Sequence, residues 1–166
     1  FNVVSYMSTT GFANCDNSSW PWLAAVVLIF VSFHCGCSGS TTGGIKADRM
    51  YISFKAIWGD FQKRLHPSSL FRTKVGSKAI TEDKIASVFL YIVLYIFILF
   101  LSFVLVLICG VNISDAFSGT VASLGNVGPG LGVIGPVGNF STLSDFSKWI
   151  LIFDMLAGRL EMYPML

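Results

Sequence analysis

The chain has 166 residues, of which 54% are apolar and only 12% charged, with a mean hydropathy of +0.71. A soluble domain carries about 25% charged residues, so this composition excludes an ordinary water-soluble globule and points to a bilayer protein. The formal net charge of +2 matters less than its distribution, because nine of the eleven Lys and Arg fall between Lys46 and Lys84.

From the N-terminus, SYMSTTGFANCDNSSWPWLAAVVLIF reads as a glycine turn at Gly11, a polar loop and an apolar helix from Trp20. That helix meets no obvious stop until about Gly59. Unbroken, it would measure roughly 58 Å at 1.5 Å per residue, far more than a hydrocarbon core needs. CGCSGSTTGGIK, Cys35 to Lys46, interrupts it partway with four glycines, two cysteines and four hydroxyl side chains. Helical pattern resumes over Ile45 to Trp58, and Gly59 to Glu82 reads as a polar loop containing His66 and Pro67. The basic segment is cytoplasmic by the positive-inside rule. Apolar spans on both sides argue against a nucleic-acid patch, so no nucleic acid is expected.

Ile85 to Cys109 is a charge-free run of twenty-five residues and reads as a transmembrane helix. Ser114 or Asp115 is expected to cap a short helix through about Ser123. Glycines from Gly125 to Gly138, with Pro129 and Pro136, then exclude continued helix. Asp145 opens another apolar helix. The order is span, half-helix, glycine-rich loop, span, and the N-terminal part repeats its second half. Thr9-Thr10-Gly11-Phe12 corresponds to Asn126-Val127-Gly128-Pro129, and Asp16 and Trp20 are spaced like Asp145 and Trp149.

Two nucleotide motifs are approached and missed. Gly39 to Gly44 nearly spells a phosphate loop, but Ile45 occupies the lysine position; Gly130-Leu131-Gly132-Val133-Ile134-Gly135 is followed by Pro136 and not by a helix. The four cysteines lack zinc spacing, and no nucleophile, base or metal cluster suggests an enzyme. Non-helical backbone at bilayer depth persists only where it is buried in protein or lines water. The glycine stretches therefore imply a pore or substrate path, in which inward carbonyls replace the water shell of a cation. Neither loop carries Asp or Glu. Arg159 lies about ten residues inside its helix, where a charge must face the bundle or a wet cavity; Asp154 and Glu161 are badly spaced to pair with it. A secondary transporter using the broken helix as its substrate site is the alternative.

STTGFAN, GCSGSTTGGIK, LGNVGPGLG and LAGRLEMYP resemble, in order, the signatures of the Trk/Ktr/HKT superfamily of potassium transporters, most closely its bacterial Trk branch. The resemblance covers nearly the whole chain. It implies an all-α membrane protein in which repeats of transmembrane helix, pore half-helix, filter loop and transmembrane helix surround one pore. Residues 1–58 would end the third repeat, 59–82 would be the cytoplasmic basic loop, and 83–166 would form the fourth repeat with a truncated inner helix. The implied potassium filter is Thr9, Thr10, Gly11, Asn126, Val127 and Gly128. The implied gate is Gly36, Ser38, Gly39, Ser40, Thr41, Thr42, Gly43, Gly44, Lys46 and Arg159. Also implied are transported K⁺ with no organic cofactor, surrounding membrane lipid, a homodimer, and an inner-membrane location. A cytosolic nucleotide-binding regulatory subunit would contact the basic face from Lys46 to Lys84.

Overall fold

A computed structural model describes the chain except for Ser18, Ser19, Ser38, Thr41 and residues 66–73, 76, 77 and 161–166. The expected gate residues Ser38 and Thr41, along with His66, Pro67 and Glu161, therefore lie outside the described residues. The described chain is helical: α1 (Asn2–Met7), α2 (Trp22–His34), α3 (Ala47–Leu65), α4 (Glu82–Ile108), α5 (Ile113–Leu124) and α6 (Asp145–Arg159). The backbone also forms one antiparallel ribbon of β1 (Lys74–Val75) with β2 (Lys78–Ala79), in which Lys74 faces Ala79.

Among the described residues, α4 alone is long and apolar enough to cross a membrane by itself, and α2 is a shorter apolar helix. Glu82 and Asp83 occupy the first turn of α4, where carboxylates suit the positive end of the helix dipole. Its buried stripe is Tyr91, Tyr95, Leu99, Ser102 and Val106, spaced three or four residues apart, which turns one face inward and leaves the others for lipid. α2 starts after Pro21 and stops at Cys35, whose φ of +41° ends the helical path.

The break between α2 and α3 is closed at its base. The Ile45 N–H donates to the Phe33 carbonyl at 2.9 Å and the Ala47 N–H to the Gly36 carbonyl at 3.2 Å, so the intervening residues form a side loop. Within it the Gly36 N–H donates to Thr42 Oγ1 at 3.2 Å, and Ser40 Oγ donates to the Cys37 carbonyl at 2.6 Å. Hydroxyls thus replace helical partners, which explains a serine- and threonine-rich break at this depth. From the side, Tyr91 Oη donates to the Gly44 carbonyl at 3.4 Å, and the Arg49 guanidinium stacks 3.9 Å from the Tyr91 ring centroid.

α5 is the hub. It contacts α2, α4 and α6 and is buried at nearly every position from Asp115 to Leu124. Helices in lipid gain little from hydrophobic burial, so association relies on small residues that allow close approach. α5 supplies Ala116, Ser118, Gly119, Ala122 and Ser123. A Cβ at Gly119 would lie 2.5 Å from Ile134 Cδ1.

Three boundaries differ from the sequence expectation. α3 continues through Gly59 to Leu65, because a single helical glycine costs only about 1 kcal/mol and good helix formers follow it. α5 begins at Ile113 after Asn112, so Ser114 and Asp115 lie inside its first turn; Asp115 Oδ1 instead accepts the Val133 N–H at 3.3 Å. α1 was not anticipated, since six residues are too few to show a period.

The α4–α6 interface holds one buried polar pair: Ser102 Oγ donates to Asp154 Oδ1 at 2.6 Å, with Asp154 fully buried. Ser102→Ala strips the carboxylate of that donor. It is expected to cost about 1–3 kcal/mol, read as a lower thermal unfolding midpoint in detergent. An unchanged midpoint would mean that this bond does not hold α6 to α4.

Candidate functional site

Two short loops share one backbone geometry. After α1 the Thr9 N–H donates to the Tyr6 carbonyl (3.2 Å) and the Thr10 N–H to the Ser5 carbonyl (3.0 Å). After α5 the Asn126 N–H donates to Ser123 (3.0 Å) and Val127 N–H to Ala122 (2.9 Å). Both are helix ends of the Schellman kind, in which a left-handed residue turns the chain back over its last carbonyls. The left-handed residues are Thr9 (φ +53°) and Asn126 (φ +55°), each followed two positions later by a glycine of positive φ, Gly11 (+71°) and Gly128 (+105°). The residue between them has negative φ in both loops, so the sign of φ alternates in the same order in each. Thr9-Thr10-Gly11 and Asn126-Val127-Gly128 therefore correspond in three dimensions as they do in sequence.

The loops also meet. A Cβ at Gly11 would lie 2.5 Å from the Val127 carbonyl oxygen and 3.1 Å from Pro129 Cδ, whereas Gly128 has open space around its Cα. The structure brings the six expected filter residues into two abutting loops that contain no carboxylate.

Beneath them three segments converge on the C-terminal end of α5. From the helix break, a Cβ at Gly43 would sit 2.5 Å from the Gly125 carbonyl oxygen and 3.2 Å from Asn126 Cβ. From α2, the buried Cys35 thiol donates to the Ser32 carbonyl at 2.8 Å and lies 4.0 Å from the Gly125 oxygen. From α6, Gly158 fits directly against the Leu124 carbonyl, with its Cα turned toward the Asn126 amide. The same amide donates to the Met155 carbonyl at 3.2 Å. A helix C-terminus carries partial negative charge, so the point on which these segments close favours a cation.

The remaining expected gate residues take distinct places. Gly36, Gly39, Ser40 and Thr42 lie in the side loop, with Gly39 at φ +83° and Gly44 at φ +73°. Lys46 is buried, and its carbonyl opens α3 by accepting the Arg49 and Met50 N–H groups. Arg159 sits in the last turn of α6 beside Gly158, with its side chain exposed. His34 caps its own helix through Nδ1 and the Phe30 carbonyl. Sequence reasoning missed two roles: Asn126 as a clamp on α6, and the Cys35 thiol as a contact with the end of α5. Asparagine's tolerance of left-handed backbone hinted at the first; for the second, the sequence marks Cys35 only as the start of the break.

Residues 1–166 match a family model described as TrkH, a cation transport protein. The chain is 36% identical over 166 residues to the Trk system potassium uptake protein TrkH of Escherichia coli (strain K12), covering 100% of this chain and 34% of that one. It is 39% identical over 171 residues to the Trk system potassium uptake protein TrkI of Halomonas elongata, again covering 100% and 34%. The crystal structure of the potassium transporter TrkH from Vibrio parahaemolyticus superposes with a TM-score of 0.89 at 32% identity, over 99% of this chain and 35% of that one. The chain thus spans about a third of the length of these relatives.

The loop contact is testable through two glycines. Gly39→Ala keeps an unfavourable φ but meets nothing within 4 Å, whereas Gly11→Ala adds a collision with the second loop. Gly39→Ala should cost about 1–2 kcal/mol and leave folded protein recoverable from membranes; Gly11→Ala should lower that yield much further. Equal yields would mean that the two loops do not abut.

Proposed function

The chain belongs to the TrkH cation transport family, and on that premise we propose that it forms part of a potassium-uptake pathway across the cell membrane. The observation that carries this reading is the pair of matched, abutting loops with positive-φ glycines above a broken helix. Backbone carbonyls of Thr9, Thr10, Gly11, Asn126, Val127 and Gly128 line a filter for dehydrated K⁺, which is cargo and not a resident cofactor. A carbonyl cage suits a monovalent ion because its dipoles replace hydration without fixing a full counter-charge.

The side loop, Gly36 to Gly44 with Ser38, Ser40, Thr41 and Thr42, is the gate beneath that filter. Arg159 places a fixed positive charge at the end of α6, on the intracellular side of the filter, and raises the barrier to a passing cation. Lys46 anchors the loop's exit. Residues 1–58 close one pore repeat, 59–82 form a cytoplasmic connection and 83–166 form the next repeat. The relatives are named as potassium uptake proteins, and this favours potassium over the alternating-access reading for another solute.

A bacterial inner membrane suits the chain, with the basic segment on the cytoplasmic side. We also assign it a homodimer and a cytosolic nucleotide-binding regulatory subunit, as the family resemblance implies. Among the described residues of that face, Lys63, Arg64 and Lys84 are exposed, whereas Lys46 is buried and Arg49 is stacked on Tyr91.

Shortening the Gly36–Gly44 loop, or Arg159→Gln, should raise ⁸⁶Rb⁺ and K⁺ uptake in cells lacking their own potassium uptake. Removing the arginine is expected to act on the order of tenfold, equivalent to about 1.4 kcal/mol of barrier. Uptake that stays at the parental rate in both variants, with the filter loops intact, would count against gating by these elements.

A further inference from the structure

We propose that Tyr6 is a specificity-determining positioning residue, which grips both carbonyl loops from behind and sets the spacing they present to the ion. This rests on the filter reading above. Tyr6 lies in α1, and its carbonyl closes the first loop by accepting the Thr9 N–H. Its buried ring lies in one core cluster with Val127 of the second loop, Leu28 and Cys35. Its hydroxyl donates to the carbonyl of Gly130, two residues past Gly128, at 3.4 Å. One side chain therefore bonds to the second loop beyond Gly128 and shares a core cluster with Val127 before it, while its own backbone ends the first.

The hydroxyl is oriented by a one-way relay. Asn2 Nδ2 donates to Asn17 Oδ1 at 2.6 Å, and Asn17 Nδ2 donates to Tyr6 Oη at 3.2 Å. Because the phenol accepts from Asn17, its single proton is left for Gly130. Asn2, Asn17 and Tyr6 are each 3% exposed. In such a low-dielectric site each bond polarises the next. Packing alone would be served by phenylalanine. Two buried asparagines lined up behind a phenol would cost free energy without their hydrogen bonds, so their presence points to a requirement for that hydroxyl. A carbonyl cage discriminates between ions through the number and spacing of its oxygens, and the relay acts on the spacing.

The test is Tyr6→Phe in the complete protein as encoded, expressed in cells without other potassium uptake. The half-saturating K⁺ concentration should rise about two- to tenfold, the worth of one buried hydrogen bond. Competition by Na⁺ should strengthen, while maximal rate and membrane abundance stay near those of the parent. Asn17→Ala should move the Na⁺/K⁺ ratio in the same direction, and the double variant should add little to either. Tyr95→Phe, which removes a buried hydroxyl in a different core cluster, should leave the ratio unchanged. The inference is overturned by Tyr6→Phe, or by Asn17→Ala where Tyr6→Phe is not produced, with a parental Na⁺/K⁺ ratio while Gly128→Ala shifts it. If Gly128→Ala leaves the ratio untouched as well, the filter reading itself fails.

Discussion

Main-chain N–H and C=O groups at bilayer depth have no water to turn to, so each must find a partner inside the protein. An ordinary helix end leaves four donors or four acceptors open, and here a helix ends and restarts between Cys35 and Ala47. The structure meets this demand by joining the two stumps, Phe33 to Ile45 and Gly36 to Ala47, and by giving the loop its own acceptors in Thr42 Oγ1 and the Cys37 carbonyl. The break therefore survives as a closed lobe. It can rest against α5 without unravelling either helix.

The second demand is proximity. Two of the three segments reach the end of α5 only because Gly43 and Gly158 lack side chains there; either Cβ would run into a backbone carbonyl of residue 124 or 125. The partial negative charge at that end is thus enclosed by main chain from the break and from α6. Glycine here serves contact, whereas at Gly11 it serves both contact and conformation, because φ is +71° and the Val127 oxygen is adjacent.

Much of this architecture was legible in the chain. α4 announces itself through length and absence of charge, α6 through its apolar run after Ser144, and the interruption of α2–α3 through composition. The pairing of Thr9–Phe12 with Asn126–Pro129 was visible as well, and the backbone repeats the two bonds that close each helix end. What stayed hidden has local causes. α1 is shorter than two turns and shows no period. Thr9 is β-branched, a residue type for which positive φ is a genuine outlier, so only the folded context reveals it. That Gly43 and Gly158 face the same helix end depends on tertiary packing between segments more than a hundred residues apart. Gly59, conversely, reads as a stop yet is passed without one.

The two loops share a backbone but not an attachment, and this asymmetry bears on how a gate could act. Asn126 supplies the left-handed turn of the second loop and also spends its amide on the Met155 carbonyl of α6, one turn before Arg159. Any shift of α6 is therefore felt directly by the second loop. The counterpart, Thr9, has no amide to extend, and its loop is tied through Tyr6 to the back of the second loop. The break lobe touches Gly125 and Asn126 and so bears on the second loop as well. Contacts from the lobe and from α6 converge on Asn126, and the first loop meets the second through Val127, Pro129, Gly130 and Tyr6. Asn126 is thus the residue at which the break lobe, α6 and the second loop meet.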